Sequence, residues 1–386
     1  MHKTHFLSIV VSLFWFSLYA YVPYVTPYAD ELGTNLRMAG LIVGAYGFTQ
    51  MVIRLPLGIF SDKLQRRKIF VQCGMLAAAL SGFLVFFFPS PSMLLVARGL
   101  GGVAASVWVT FTVLGASYNK DNDTTRVMGH MSAANALGRM IALLLGGLIA
   151  QMLGIPYAFL LGGIVGVIGL LVGFKLEDTP KDEHRAPFCK KDFWAVIKDK
   201  QLIFCSILGI LSMYISFSTT FGFTPLAAAR LNANQWQLGL LGVLSTAPAI
   251  FISPIAGGFL PKKIGPAATL ILGFVIAGAG SMLVAFTDAL WVLFVVQICA
   301  SLGVAIVNTL LLGLCIRDIS EKSRATAMGF FQAVYGIGMF VGPFVTGQIS
   351  FRFGLSAAFI FTGLIGFVGL ILTLLFAKAA KWKHSR

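Results

Sequence analysis

The sequence predicts an all-α membrane protein with twelve spanning helices in two pseudo-symmetric six-helix bundles. Three observations predict it. Apolar residues fill 58% of the 386 positions, charged residues only 11%, and phenylalanine alone occurs 34 times; a chain immersed in lipid needs such a composition and a soluble domain does not. Apolar runs near the length of about 20 residues that crosses a bilayer fall near 6–28, 37–60, 69–88, 92–117, 127–151, 157–175, 202–228, 236–260, 267–286, 290–315, 327–351 and 355–377. The third observation is a repeat. Met128-Gly129 returns as Met328-Gly329, Gly138 as Gly338, Gly147 as Gly347 and Gly154 as Gly354, and Gly163, Gly166 and Gly169 return as Gly363, Gly366 and Gly369.

The N-terminal run passes the length of a secretion signal with no small-residue cleavage site, so it reads as the first span. It contains Tyr21-Val-Pro23-Tyr24-Val-Thr-Pro27-Tyr28. Two prolines remove backbone donors and bend a helix. Ser17, Tyr21, Tyr24 and Tyr28 share a stripe at helical spacing; Tyr28 suits the membrane boundary, while Tyr21 and Tyr24 are candidates for an internal cavity.

Between the second and third runs lies Gly58-Ile-Phe-Ser-Asp62-Lys63-Leu-Gln-Arg66-Arg67-Lys68. A turn this short makes its flanking helices antiparallel neighbours. Its cations mark the cytoplasmic face by the positive-inside rule. Asp62 is the only anion near them, and a helix N-terminus is one place where an anion is favoured.

The fourth run begins Arg98-Gly-Leu-Gly-Gly102 and carries Trp108 on the arginine face; the fifth carries Ser132, Asn135 and Arg139 on one face. A cation in the membrane costs roughly 2.5–3.5 kcal/mol on insertion scales and therefore faces a bundle interior or wet cavity. Arg139, near mid-span, is the central candidate; Arg98 lies nearer an end, and Arg54 is close enough to Gly58 to reach the interface. His130 lies opposite Arg139 and reads as packed.

Residues 1–176 form the first predicted bundle, 177–200 a charged cytoplasmic linker and 201–386 the second bundle. In the second half Tyr214, Phe217, Phe221 and Thr224 form one stripe, Gln297, Ser301 and Asn308 another, and Gln332 and Tyr335 sit a turn apart. The eleventh run carries Gly338-Met-Phe-Val-Gly342-Pro343, small residues that allow backbone-to-backbone packing. An even number of spans and a basic C-terminal tail place both termini in the cytoplasm.

The formal charge of +15 raises the question of nucleic acid, and position answers it: 23 of the 29 Lys and Arg fall in cytoplasmic turns and tails, 3 in outer turns and 3 inside helices. That charge orients the chain in its bilayer. No basic, aromatic-interleaved surface segment suits nucleic acid. The five cysteines show neither metal nor disulfide spacing and read as buried small hydrophobes. Asn122-Asp-Thr124 matches a glycosylation acceptor by letters only. No H-E-x-x-H, G-x-S-x-G or phosphate-cradling loop points to an enzyme or a cofactor. All 14 Asp and Glu fall in turns, tails or helix ends. With arginine but no acid deep in the spans, Coulomb attraction favours an anionic or zwitterionic solute over a lipophilic cation.

Gly58, Asp62, Lys63, Arg66 and Arg67 resemble the G-x-x-x-D-[RK]-x-x-R-[RK] signature of the major facilitator superfamily, with Gln65 where that family usually has glycine. Tyr21, Pro23, Pro27, Ala29, Leu32 and Gly33 resemble the first-helix stretch of its drug:proton antiporter branch; Thr26 departs from it. Arg98 to Gly102 is similar to the family's fourth-helix signature. Gly138, Gly146 and Gly147 match part of the antiporter-associated fifth-helix pattern, where Ala142 and Leu143 replace its Gly-Pro. The resemblance implies a secondary transporter of the cytoplasmic membrane whose halves rock about a central site, lined by helices 1, 4, 7 and 10. The candidate substrate-binding set, read from charge, depth and helix faces, is Arg139, Arg98, Asn135, Tyr21, Tyr24, Trp108, Gln297, Asn308 and Tyr335. A gating set follows of Gly58, Asp62, Lys63, Arg66, Arg67, Gly338, Gly342 and Pro343, closing against Ser323–Ala327. The expected partners are a small-molecule substrate and membrane lipids, with a coupling proton left open and a monomer expected. A proton-coupled multidrug efflux pump and a lipid or lysolipid flippase are the alternative readings.

Overall fold

The computed structural model describes residues 2–64, 66–118, 124–178, 196–320 and 323–379. Among them there is no strand, and twelve helices are long and apolar enough to cross a membrane. We number them α1 (Thr4–Glu31), α2 (Leu36–Arg54), α3 (Arg67–Phe87), α4 (Pro91–Ser117), α5 (Val127–Leu153), α6 (Ile155–Gly173), α7 (Lys200–Arg230), α8 (Gln235–Ile264), α9 (Pro266–Phe286), α10 (Leu290–Leu314), α11 (Thr326–Phe353) and α12 (Leu355–Ala377). Large apolar side chains stand fully outward, with Phe251 75%, Phe353 73% and Trp291 72% exposed. Such surfaces are unfavourable in water and neutral in hydrocarbon, which makes lipid their solvent. Cys73 and Cys299 also face outward. The expectation of uniformly buried cysteines therefore fails at these two, because an apolar run in lipid buries only one side of its helix. Cys205 and Cys315 are buried, and Cys189 lies outside the described residues, as do most of the 177–200 segment and Asn122 and Asp123 of the acceptor triplet.

The chain forms two compact units. One comprises Met1–Leu32, Phe48–Phe188 and Asn234–Val243; the other comprises Gly33–Gly47, Cys189–Ala233 and Leu244–Arg386. Within the first, α1 packs on α5 and α6, and α3 on α4 and α6; within the second, α7 packs on α11, and α9 on α10 and α12. The repeat read in the sequence is thus a repeat of packing. Gly138 lies against the Ser12 backbone of α1, and Gly338 against the Ile210 backbone of α7; a Cβ at either would collide with main chain. Small residues here let helices close to backbone contact, and dispersion drives the packing where lipid removes the hydrophobic driving force between helices. Gly154 and Gly354 close α5 and α11 with φ of 107° and 86°, a region that favours glycine.

Several spans are broken where their sequence dictates. Around Pro23 the first helix stops at Tyr19, passes through a 3₁₀ turn at Val22–Tyr24 and resumes at Val25. α4 breaks at Val107. π turns occupy Thr219–Phe223 in α7 and Ile255–Phe259 in α8, each next to a proline at 225 or 254 that cannot donate to the ladder.

Candidate functional site

The first helix presents two faces, and they do different things. The Ser17 hydroxyl donates to the Gly162 carbonyl at 2.7 Å. The Tyr21 hydroxyl shares a 2.7 Å hydrogen bond with Ser81, and its ring stacks on Phe159 with centroids 4.6 Å apart. Tyr21 is fully buried, held by α3 and α6. Arg98, also buried, lies within electrostatic reach of the Tyr21 hydroxyl. Tyr28 tilts against Phe159 at 5.8 Å, and at 6% exposure it is part of the bundle rather than a boundary residue. Arg54, expected at the interface, is 5% exposed.

The second face carries Trp15 and Tyr19, and Arg139 meets it there. The Arg139 guanidinium carbon stands 4.1 Å from the Tyr19 ring centroid, inside the range where a cation is drawn to the negative face of an aromatic ring. Trp15 lies 5.8 Å from Tyr19 and meets Trp108 edge-on at 5.6 Å. The break at Val107 starts a new helical segment at Trp108. Asn135 sits one turn before Arg139, and its Oδ1 is buried with no hydrogen-bond partner among the described residues. The structure therefore places Arg139 over Tyr19 and links Tyr19 through Trp15 to Trp108, with Asn135 one turn from Arg139 on the same helix. Trp15 and Tyr19 were singled out by no sequence motif. Their spacing of four on a helix was the available signal. His130 is exposed and meets the His5 ring at 6.0 Å, away from this cluster.

In the other unit the candidate residues are tied into the helices around them. Gln297, fully buried, donates from Nε2 to Thr220 at 2.8 Å and Ser301 at 3.1 Å, beside the π turn. Asn308 Oδ1 accepts from Ser212 at 2.9 Å. Tyr335 meets Phe331 edge-on at 5.4 Å.

Two helix starts belong to the unit that does not hold the rest of their span. The start of α8 packs on α1 and α5: Gly239 and Gly242 lie against Leu143, and the Tyr24 hydroxyl donates to the Gln235 carbonyl at 3.1 Å. The start of α2 packs on α11, with Gly40, Gly44 and Gly47 against Pro343, Phe340 and Met339. Arg37 Nε donates to Gln348 Oε1 at 2.6 Å, with the guanidinium 5.4 Å from the Phe351 ring centroid. Gly338 and Gly342 face Ile210 and Tyr214 of α7.

At the basic turn, the second helix runs on to Leu64. Asp62 lies in its last turn rather than at a helix N-terminus, and the side chains of Asp62 and Lys63 are outside the described residues. Gly58 has open space around it, Arg66 is exposed and Arg67 is buried. The anion at the start of α3 comes from elsewhere: Asp178 Oδ1 accepts from the Lys68 backbone N–H at 2.9 Å. One residue earlier, the Glu177 carbonyl accepts from the Tyr118 hydroxyl at 2.5 Å. Burial pushes the Tyr118 hydroxyl up to about 12, the nearby Asp178 and Glu177 carboxylates add to that, and the carbonyl hydrogen bond opposes it.

A family model described as Major Facilitator Superfamily matches residues 7–315 and 206–385. The chain is 26% identical over 356 residues to the uncharacterized MFS-type transporter MJ1560 of Methanocaldococcus jannaschii, covering 90% of each chain. It is 22% identical over 333 residues to the quinolone resistance protein NorA of Staphylococcus aureus, covering 85% of this chain and 84% of that one. Its fold matches a crystal structure of a mutant nucleoside transporter NupG with a TM-score of 0.83 at 15% identity, covering 97% of this chain and 99% of that one. Twelve spans, two units with one packing scheme and a family match along nearly the whole length lead to one conclusion: the chain belongs to the major facilitator superfamily and is a multi-pass membrane transporter, not an enzyme.

Proposed function

We propose that this transporter moves a small organic anion or zwitterion across the cytoplasmic membrane by alternating access, with both termini in the cytoplasm. The observation that carries the reading is Arg139, a cation near the middle of α5 seated over Tyr19, in a chain whose described carboxylates all lie at or beyond helix ends. A fixed positive charge in a low-dielectric interior attracts an anionic guest and repels a cationic one. The helix starts at 33–47 and 234–243, packed into opposite units, are the elements we assign to the outer gate. The basic turn at Gly58–Lys68, with Asp62, and the Gly338–Pro343 stretch complete the gating set.

The test is uptake of labelled benzoate and hexanoate into proteoliposomes, comparing the parent chain with Arg139→Gln. Saturable uptake abolished by that substitution supports the reading; uptake unaffected by it defeats the assigned role. Similarity to NorA supports a second reading, export of lipophilic drugs. Extrusion of ethidium that survives Arg139→Gln would establish that one instead.

A further inference from the structure

Trp15 is 7% exposed, and its indole N–H is buried with no hydrogen-bond partner among the described residues. Native interiors rarely leave such a donor unanswered, and each case calls for an explanation. Asn135 Oδ1, also buried, is an unanswered acceptor. Arg139 stands over Tyr19 at 4.1 Å, Trp15 lies 5.8 Å from Tyr19 and 5.6 Å from Trp108, and Asn135 is one helical turn before Arg139. All five side chains come from α1, α4 and α5 of one unit.

A guest that answers the two unpartnered groups has an acceptor for the indole N–H and a donor for the amide oxygen. The positive charge of Arg139 beside them draws an anionic group, and the rings suit a flat apolar body. A carboxylate supplies the anion and the acceptor together, because its second oxygen is free to accept when the first meets arginine. We infer that this surface binds an aromatic carboxylate bearing an N–H or O–H donor next to the carboxylate. This rests on the anion-transport reading and narrows it from any organic anion to that class. The carboxylate bridges Arg139 and Trp15, the adjacent donor meets Asn135 Oδ1, and the ring lies among Tyr19 and Trp108.

The experiment is calorimetric titration of the purified full chain in detergent with 2-aminobenzoate, benzoate, hexanoate and benzylamine. The expected order is 2-aminobenzoate over benzoate over hexanoate, with no heat from benzylamine. Trp15→Phe keeps the ring and removes the donor; it weakens both aromatic acids by at least about tenfold, as loss of a hydrogen bond to a charged group does. Asn135→Leu weakens 2-aminobenzoate and leaves benzoate unchanged. Melting temperature and a monodisperse elution profile confirm that each variant is folded. Aromatic and aliphatic acids binding alike, with Trp15→Phe and Asn135→Leu silent, would overturn this inference: water would then answer the two groups. The anion reading would survive that result if Arg139→Gln still abolished hexanoate binding. Benzylamine binding in place of the acids, or no binding of any acid, overturns both.

Discussion

The Arg139 guanidinium sits 4.1 Å from the centroid of Tyr19, so the charge in the middle of α5 is positioned by an aromatic ring on α1. A cation held over a ring is drawn to the negative face of the aromatic system. Tyr19→Phe preserves the ring and should leave anion affinity within about twofold. Tyr19→Leu removes an interaction of about 0.5–2 kcal/mol and should weaken binding by roughly 2- to 30-fold. Calorimetry with benzoate checks both.

The Tyr24 hydroxyl ties α1 to the start of α8 through the Gln235 carbonyl. If the 234–243 segment leaves this seat during transport, Tyr24→Phe removes about 0.5–1.5 kcal/mol from the seated state alone. The balance should then shift away from it by roughly 2- to 13-fold. Thiol labelling of a cysteine at Gln237, faster in the variant, is the expected outcome. Equal rates would mean the segment does not move.

Arg37 and Gln348 touch at 2.6 Å, joining the start of α2 to α11. Arg37→Cys with Gln348→Cys, joined by a short cleavable thiol cross-linker, should stop transport nearly completely. Cleavage of the linker should restore it. Undiminished transport by the cross-linked protein would remove this contact from the gate.

Asp178 caps α3, and Asp62 is the carboxylate we propose for the gate; the two roles predict different phenotypes. Asp178→Ala removes the side-chain cap of α3 and should lower stability by about 0.5–2 kcal/mol, read by thermal unfolding, with transport per folded molecule kept. Asp62→Asn should do the reverse: expression and melting unchanged, transport severely cut. The opposite pattern would exchange their roles.

The Tyr118 hydroxyl is held neutral by burial, up to about 12 from an ordinary 10.0. A raised folded-state value means the neutral form is favoured by folding. Its contribution is therefore fully present below pH 10 and is lost as pH rises toward 12. Melting temperature should fall more steeply across pH 10–12 in the parent chain than in Tyr118→Phe; parallel curves would show that the Glu177 contact carries no titrating weight.

The span register was legible because hydropathy in a bilayer is a one-dimensional property: each run of about 20 apolar residues must cross, whatever its neighbours do. Pro23 could be read as a break for an equally local reason. The faces of α1 were another matter. Ser17, Tyr21 and Tyr24 look like a polar cavity stripe, yet Tyr21 is spent on Ser81 and Phe159, and Trp15 and Tyr19 meet the arginine. In water an amphipathic pattern points a helix; in lipid every face is apolar enough, so the pattern does not say which side meets which helix.

The basic turn shows the same division. The sequence could reveal that an anion is wanted where α3 begins and that Asp62 is adjacent in the chain, but the anion that arrives is Asp178, 110 residues away. What the sequence determined unaided was the class, the number of crossings, the twofold repeat and the absence of deep carboxylates, because composition and depth sorting do not depend on partners. What tertiary structure decided was which ring holds Arg139, which carboxylate caps α3 and which helix starts change units, because those depend on the rotation of each helix about its own axis. That rotation is set by glycine-to-backbone contacts such as Gly138 with Ser12 and Gly338 with Ile210, made between residues far apart in the chain.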